Sequence, residues 1–364
     1  MKIFHCTSCE NLVFFENTVC VRCQHKLAYL PDVENVVALE PERENVWRSI
    51  LPDTHLYRLC DNYIRENVCN WAVPEEDDHG LCMSCRFTQV VPDLTLPTNR
   101  EAWYKLEVAK RRLLYTLWRL GCPLKDRLKD PRSGLAFKFL SDIRDCAVDP
   151  VLTGHADGVI TINVAEADDV ERERRRQELH EPYRTLLGHF RHEVGHYYWD
   201  RLIKDTPIID AFRECFGDER KDYAGALHDY YKQGPPQDWQ NRYVTAYATA
   251  HPWEDWAETW AHYLHMTDTL ETAAGCGLSL RPRRSDEPML EVTGDPISRD
   301  VRAFHELVEN WFPLTYVLNN LNRCLGLADA YPFVLSSGVI DKLRMVHNAI
   351  YAHRSGKTYP ATEY

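Results

Sequence analysis

Between residues 100 and 120 the apolar positions Trp103, Leu106, Leu113, Leu114, Leu117 and Trp118 fall on one face of a helix. The stretch before it, Pro92-Asp93-Leu94-Thr95-Leu96-Pro97-Thr98-Asn99, reads as a linker in which Thr98 or Asn99 caps that helix. From 135 to 165 the pattern changes to short β-branched or aromatic runs bounded by turn residues, predicting strands at 135–140 and 158–164. Apolar and aromatic positions then take helical spacing around Tyr183 to Trp199 and again over 251–266, with Gly234-Pro235-Pro236 marking a sharp break between the two. A loop-rich stretch runs from beyond Thr267 to near Pro296, and helical spacing returns over 300–326 and 336–353. The mixed-charge run Glu171 to Arg176 reads as a solvated helix face. The first 97 residues are organised by their cysteines. The pattern predicts an α+β protein with three parts: 1–28, 29–97 and a mainly helical 98–364 with a small sheet.

Composition changes this picture little. At 364 residues, 44% hydrophobic and 27% charged, the chain can bury a sizeable core as two or three domains. No apolar run approaches the ~20 residues that span a bilayer. No apolar signal region precedes the first cysteine, so the expected location is the cytoplasm, with no membrane partner. A formal net charge of −12 argues against a broad nucleic-acid surface.

The chain has 13 cysteines. Cys6 and Cys9 form one C-x-x-C pair, and Cys20 and Cys23 another; this knuckle spacing lets four thiolates close around a structural zinc. Cys60, Cys69, Cys82 and Cys85 supply a second set of four, with wider first spacing. The first module is small and has little core, so metal would supply most of its folding free energy. Disulfides or a redox pair are the alternative readings, and the former need an oxidising compartment. Cys122, Cys146, Cys215, Cys276 and Cys324 follow no spacing rule and read as buried small hydrophobes.

The most specific chemistry lies in His192-Glu193-Val194-Gly195-His196. On a helix the two histidines stand one above the other and can grip one metal ion, with Glu193 beside it as a general base. A catalytic zinc needs a third protein ligand and an open fourth position. The class that takes a histidine six residues after the second ligand, with a glycine three after it, is excluded by Leu202 and Trp199. A glutamate from a later helix remains, and Pro252-Trp253-Glu254-Asp255 begins a suitable one. Glu254 and Glu258 lie one turn apart on it. Glu254 is assigned to the metal, and Glu258 to the free N–H of a ligating histidine. Glu214, Glu219 and Asp222 are rival ligands.

Here the sequence resembles the gluzincins, and the spacing Tyr247 to Glu254 to Glu258 is similar to that of lethal-factor-type metalloproteases. With its cysteine-rich beginning, nearly the whole chain resembles a bacterial family of zinc-binding metallopeptidases with an N-terminal zinc ribbon. The resemblance implies a zincin-like peptidase fold and a peptide or protein substrate. It also implies that Tyr247 stabilises the developing oxyanion, with Tyr243 as rival. In the implied arrangement an edge strand pairs with extended substrate, and 158–164 is the candidate for it, an interior strand being the alternative. The expected cofactors are one catalytic and two structural zinc ions. The alternative function is a non-catalytic scaffold that binds a protein partner through the ribbons, although a scaffold has no use for Glu193.

Overall fold

A computed structural model describes residues 3–52, 55–141, 151, 153–178, 185–284, 286–287, 289–291, 296–297 and 304–355. The chain folds as two compact units: one comprises Lys2–Leu114 with Lys125–Arg172, the other Tyr115–Leu124 with Glu173–Tyr364.

In the first unit, β1 (Phe4–His5) and β2 (Leu12–Val13) form a hairpin that carries the first cysteine pair in its turn. The cysteine-organised stretch that follows forms a five-stranded antiparallel sheet. Its strands are β3 (Lys26–Leu30), β4 (Asn35–Arg43), β5 (Val46–Ser49), β6 (Leu56–Leu59) and β7 (Ala72–Pro74), in that order. A bridge from Tyr29 to Trp71 brings its two outer strands together, so the sheet is curled. Phe15, Tyr29 and Trp71 pack edge to face or tilted inside it, with Tyr29 and Trp71 centroids 4.6 Å apart. Thr7 accepts the Ala38 amide, which ties the first knuckle to β4. Short helices α1 (Asp61–Ile64) and α2 (Met83–Arg86) follow Cys60 and Cys82 directly.

The second sheet of this unit has the order β10-β11-β9-β8, formed by β8 (Thr88–Val90), β9 (Ala136–Leu140), β10 (Gly154–Ala156) and β11 (Val159–Asn163). The two strands expected here are present. However, β11 lies between β9, parallel to it, and β10, antiparallel, so 158–164 is not an edge strand and does not offer its backbone to a substrate. At three residues, β10 is too short to carry a periodicity by which the sequence could show it. Helix α3 (Pro97–Arg119) begins earlier than expected: Thr98 and Asn99 lie in its first turn and are not its cap, and the Asn99 amide donates to the Asp93 carbonyl instead. Its residues from Tyr115 count with the second unit. Helix α4 (Asp169–Glu178) covers the mixed-charge run.

The second unit is helical, with α5 (Leu186–Leu202), α6 (Ile209–Phe216), α7 (Tyr223–Gln233), α8 (Pro252–Gly275), α9 (Phe304–Cys324) and α10 (Ser337–Ser355), plus a two-residue pair of strands, β12 (Ser279–Leu280) and β13 (Leu290–Glu291). α8 is its axis, with 15 buried residues, including Trp256 and Trp260. α5 packs along it: Tyr198 stacks on Trp260 with centroids 4.7 Å apart, and the Trp256 indole donates to the Gly195 carbonyl at 2.9 Å. Buried polar bonds fix the other end of α8, where Thr116 donates to Asp268 at 2.6 Å and Tyr115 to Glu271 at 2.7 Å. Arg191 of α5 also pairs with Asp268.

The unassigned cysteines divide. Cys122 is buried and Cys215 half-buried, but Cys276 and Cys324 are exposed, because they fall at the ends of α8 and α9 where no core covers them. Cys146 lies outside the described residues, as do Tyr183 and Arg184.

Candidate active site and metal centres

Three groups of side chains are placed so that each could surround one ion. In the first, Cys6 Sγ stands 3.6 Å from Cys23 Sγ and Cys9 Sγ 3.6 Å from Cys20 Sγ; in the second, Cys69 and Cys82 sulfurs are 3.7 Å apart. A tetrahedron of sulfurs at the usual zinc–sulfur distance has an edge of about 3.8 Å, whereas a disulfide would bring two sulfurs to about 2.05 Å. The spacing therefore fits zinc.

Around these sulfurs the backbone supplies donors: the Cys82 amide points at Cys60 Sγ at 3.3 Å and the Trp71 amide at Cys69 Sγ at 3.4 Å. The amide and ring of His25 lower the Cys23 thiol to about 5 against some burial, while burial pushes Cys6 up to about 12. The second set is wholly buried. Beside it Arg111 is itself buried, donates to the Val68 carbonyl at 2.6 Å and pairs with Glu107. A zinc ion held by four thiolates would carry two negative charges, and Arg111 is a cation placed to offset them in this dry setting.

The third group joins α5 to α8. Thr185 caps α5, accepting the Gly188 amide, and the helix carries His192, Glu193 and His196. His251 caps α8 through Nδ1 and Pro252 occupies its first turn, so Glu254 and Glu258 project from the first two turns. Gly195 lets the helices meet, since a Cβ there would lie 2.9 Å from Ala257 Cα. His192 Nε2 is 2.9 Å and His196 Nε2 3.5 Å from Oε2 of Glu254, which is only 1% exposed. Among the described residues that buried oxygen faces only the two ring nitrogens, so the three donor atoms converge on one point. Nitrogens and oxygens around a tetrahedral zinc lie about 3.3 Å apart, so the donor set fits the ion.

Glu258 Oε1 lies 2.6 Å from His192 Nδ1, and Thr245 donates to its other oxygen at 2.7 Å. Burial alone would disfavour a proton on His192, but Glu254 and Glu258 outweigh it and hold one on the ring; Glu254 in turn stays ionised despite burial because both histidines face it. The place between them is built for positive charge. Trp253 covers His196, with ring centroids 3.9 Å apart. Glu193, 9% exposed, makes no hydrogen bond or ion pair among the described residues.

Tyr247 sits in a 3-10 turn (Tyr247–Thr249) with its ring 6.0 Å from His192, and its hydroxyl makes no hydrogen bond among the described residues. Burial, with Glu254 next, keeps it protonated. Tyr243 is placed elsewhere, under Lys342 at 4.1 Å from the ring centroid. Lys342 is the buried partner of Asp255 at 2.6 Å. Of the rival ligands, Glu219 is bound by Arg213 at 2.6 Å, and neither Glu214 nor Asp222 joins the histidines. Glu214 lines a separate cavity of about 680 Å³ with Arg213, Lys221, Tyr230 and His251. Tyr223 and Thr245 are contacts that sequence reasoning missed. Both reach the glutamates from segments whose spacing relative to α8 carries no signal.

Residues 99–349 match the family described as "Putative zinc-binding metallo-peptidase", and residues 3–96 match a zinc-ribbon domain. The chain belongs to that metallopeptidase family, with an N-terminal zinc ribbon. It is 42% identical over 351 residues, covering 96% of this chain and 95% of theirs, to proteins of Mycobacterium bovis and of two strains of Mycobacterium tuberculosis, each named an uncharacterized protein. No solved structure matches. Among the described residues no helix is long and apolar enough to cross a membrane.

Proposed function

We propose that the protein is a gluzincin-like peptidase that hydrolyses peptide bonds with one zinc held by His192, His196 and Glu254, and with two further zinc ions, one in each cysteine set. The observation that carries this reading is the convergence of both imidazole Nε2 atoms on one oxygen of a carboxylate that is 1% exposed. Zinc bound there would polarise the scissile carbonyl and make a water molecule acidic enough to react near neutral pH.

The remaining work falls to side chains. Glu193, next to His192 and without a hydrogen bond among the described residues, accepts the proton of the attacking water and passes it to the departing amine. Glu258 fixes the tautomer of His192 by accepting from Nδ1 and is itself steadied by Thr245. The hydroxyl of Tyr247, without a hydrogen bond among the described residues, donates to the oxygen that gains charge as the carbonyl becomes tetrahedral. The cysteine sets hold the N-terminal region in shape and offer it to protein substrates or partners. Eight closely grouped thiols suit a reducing compartment such as the cytoplasm.

Glu193→Gln is the test. Peptide turnover should disappear while zinc content stays at the wild-type value. Turnover that survives the substitution would sink the mechanism. A wild-type protein that keeps its metals yet cleaves nothing in a broad peptide library would leave the scaffold reading in its place.

A further inference from the structure

Tyr223 opens α7, a helix without a single buried residue. Nothing in the core of its own helix therefore sets its position. Its contacts all point the other way: the ring stands edge-on to His251 (5.2 Å, 84°) and to Trp253 (5.6 Å, 77°), the cap and second residue of α8. Its hydroxyl donates to Oε1 of Glu254 at 2.5 Å. Facing a carboxylate oxygen, which can only accept, the phenol is the donor. The two oxygens of Glu254 thus differ in kind. Oε1 is committed to Tyr223, and among the described residues Oε2 has only the two histidine nitrogens before it.

We propose that Tyr223 is a positioning residue that engages one oxygen of Glu254 so that the other alone is presented to the metal. The inference rests on the reading of Glu254 as a zinc ligand and adds to it the denticity of that ligand. One-oxygen ligation leaves the fourth position for water, as hydrolysis needs. A carboxylate without this anchor is free to rotate and offer both oxygens, or neither.

The test uses the full chain reconstituted with zinc, with the dissociation constant of the third and weakest zinc equivalent measured by chelator competition. Tyr223→Phe should raise that constant about 10- to 100-fold, the usual effect of removing a partner of a ligand. In the cobalt-substituted protein the same variant should change the visible absorption of the third ion, which a purely structural loss would not do. Tyr247→Phe removes a hydroxyl that bonds no ligand and should leave the constant at its wild-type value. Thermal unfolding of the metal-free forms checks that both variants fold. A smaller rise in Tyr223→Phe, or an equal rise in Tyr247→Phe, overturns the proposal while Glu254→Ala still strips the ion. If Glu254→Ala binds the third zinc as tightly as wild type, it is the ligand assignment itself that fails.

Discussion

Gly195→Ala is the substitution whose sign the packing decides against local propensity. In an ordinary helix interior, replacing glycine by alanine stabilises by about 1 kcal/mol. Here the new Cβ would lie 2.9 Å from Ala257 Cα, 3.2 Å from Trp260 Cβ and 3.3 Å from the Ala257 carbonyl oxygen. The nearest atom is backbone, so no rotamer change relieves the clash, and overpacking of this kind costs about 1–3 kcal/mol. Relief requires α5 and α8 to separate by about 0.5 Å, the difference between 2.9 Å and the 3.4 Å at which ordinary contact begins. Glu254 rides on α8 and the two histidines on α5, while a metal site tolerates only about 0.2 Å.

The expected result is a net loss on the order of 1 kcal/mol in urea unfolding, together with at least about a tenfold fall in affinity for the third zinc, since ligands so displaced lose much of their geometry. Gly225→Ala in α7 is the control. Its Cβ meets only the carboxylate end of Asp222, a flexible group that can move aside. If Gly195→Ala were stabilising and held zinc as well as wild type, the close approach of the two helices would not be what sets the ligand geometry.

Three other outcomes follow from the same structure. His347, beside Tyr263 at 2.9 Å, has its ring pushed down to about 4 by burial, so the folded protein refuses a proton that the unfolded chain takes near 6.5; its contribution is complete above pH 6.5 and is lost as the pH falls towards 4. His347→Gln should accordingly flatten the acid limb of stability by up to about 1.4 kcal/mol per pH unit, measured by urea unfolding, and an unchanged slope would contradict this. Arg111→Met should destabilise by about 3–5 kcal/mol and release zinc from the second cysteine set first, read by chelator kinetics, because it leaves a doubly negative site without the buried guanidinium beside it, while Glu107 keeps Lys110 at 2.8 Å. Removing all metal with a strong chelator should melt the curled sheet around Trp71 before the helices of the second unit, followed by tryptophan fluorescence and circular dichroism, since the small ribbon depends most on its ions.

Much of the candidate site could be read from the chain because its chemistry is local. The two histidines and Glu193 share one helical turn, and each C-x-x-C pair shares one knuckle. Glu254 and Glu258 were legible through Pro252 and the tryptophans around them, which mark a buried helix start. What escaped was set by tertiary placement. Lys26–Leu30 is buried almost throughout and so lacks the alternation by which a half-buried strand shows itself. The hydroxyls of Tyr223 and Thr245 meet glutamates 31 and 13 residues away, a meeting that no periodicity encodes. β11 looks the same in sequence whether interior or edge, and only β10 settles which.

The central claim, that both histidines of α5 and Glu254 of α8 jointly hold a zinc ion, is tested most directly by anomalous diffraction at the zinc absorption edge. The account predicts three peaks per chain, one in each cysteine set and one within bonding distance of His192 Nε2, His196 Nε2 and Glu254 Oε2. Two peaks only, with those three side chains directed away from one another, would contradict it.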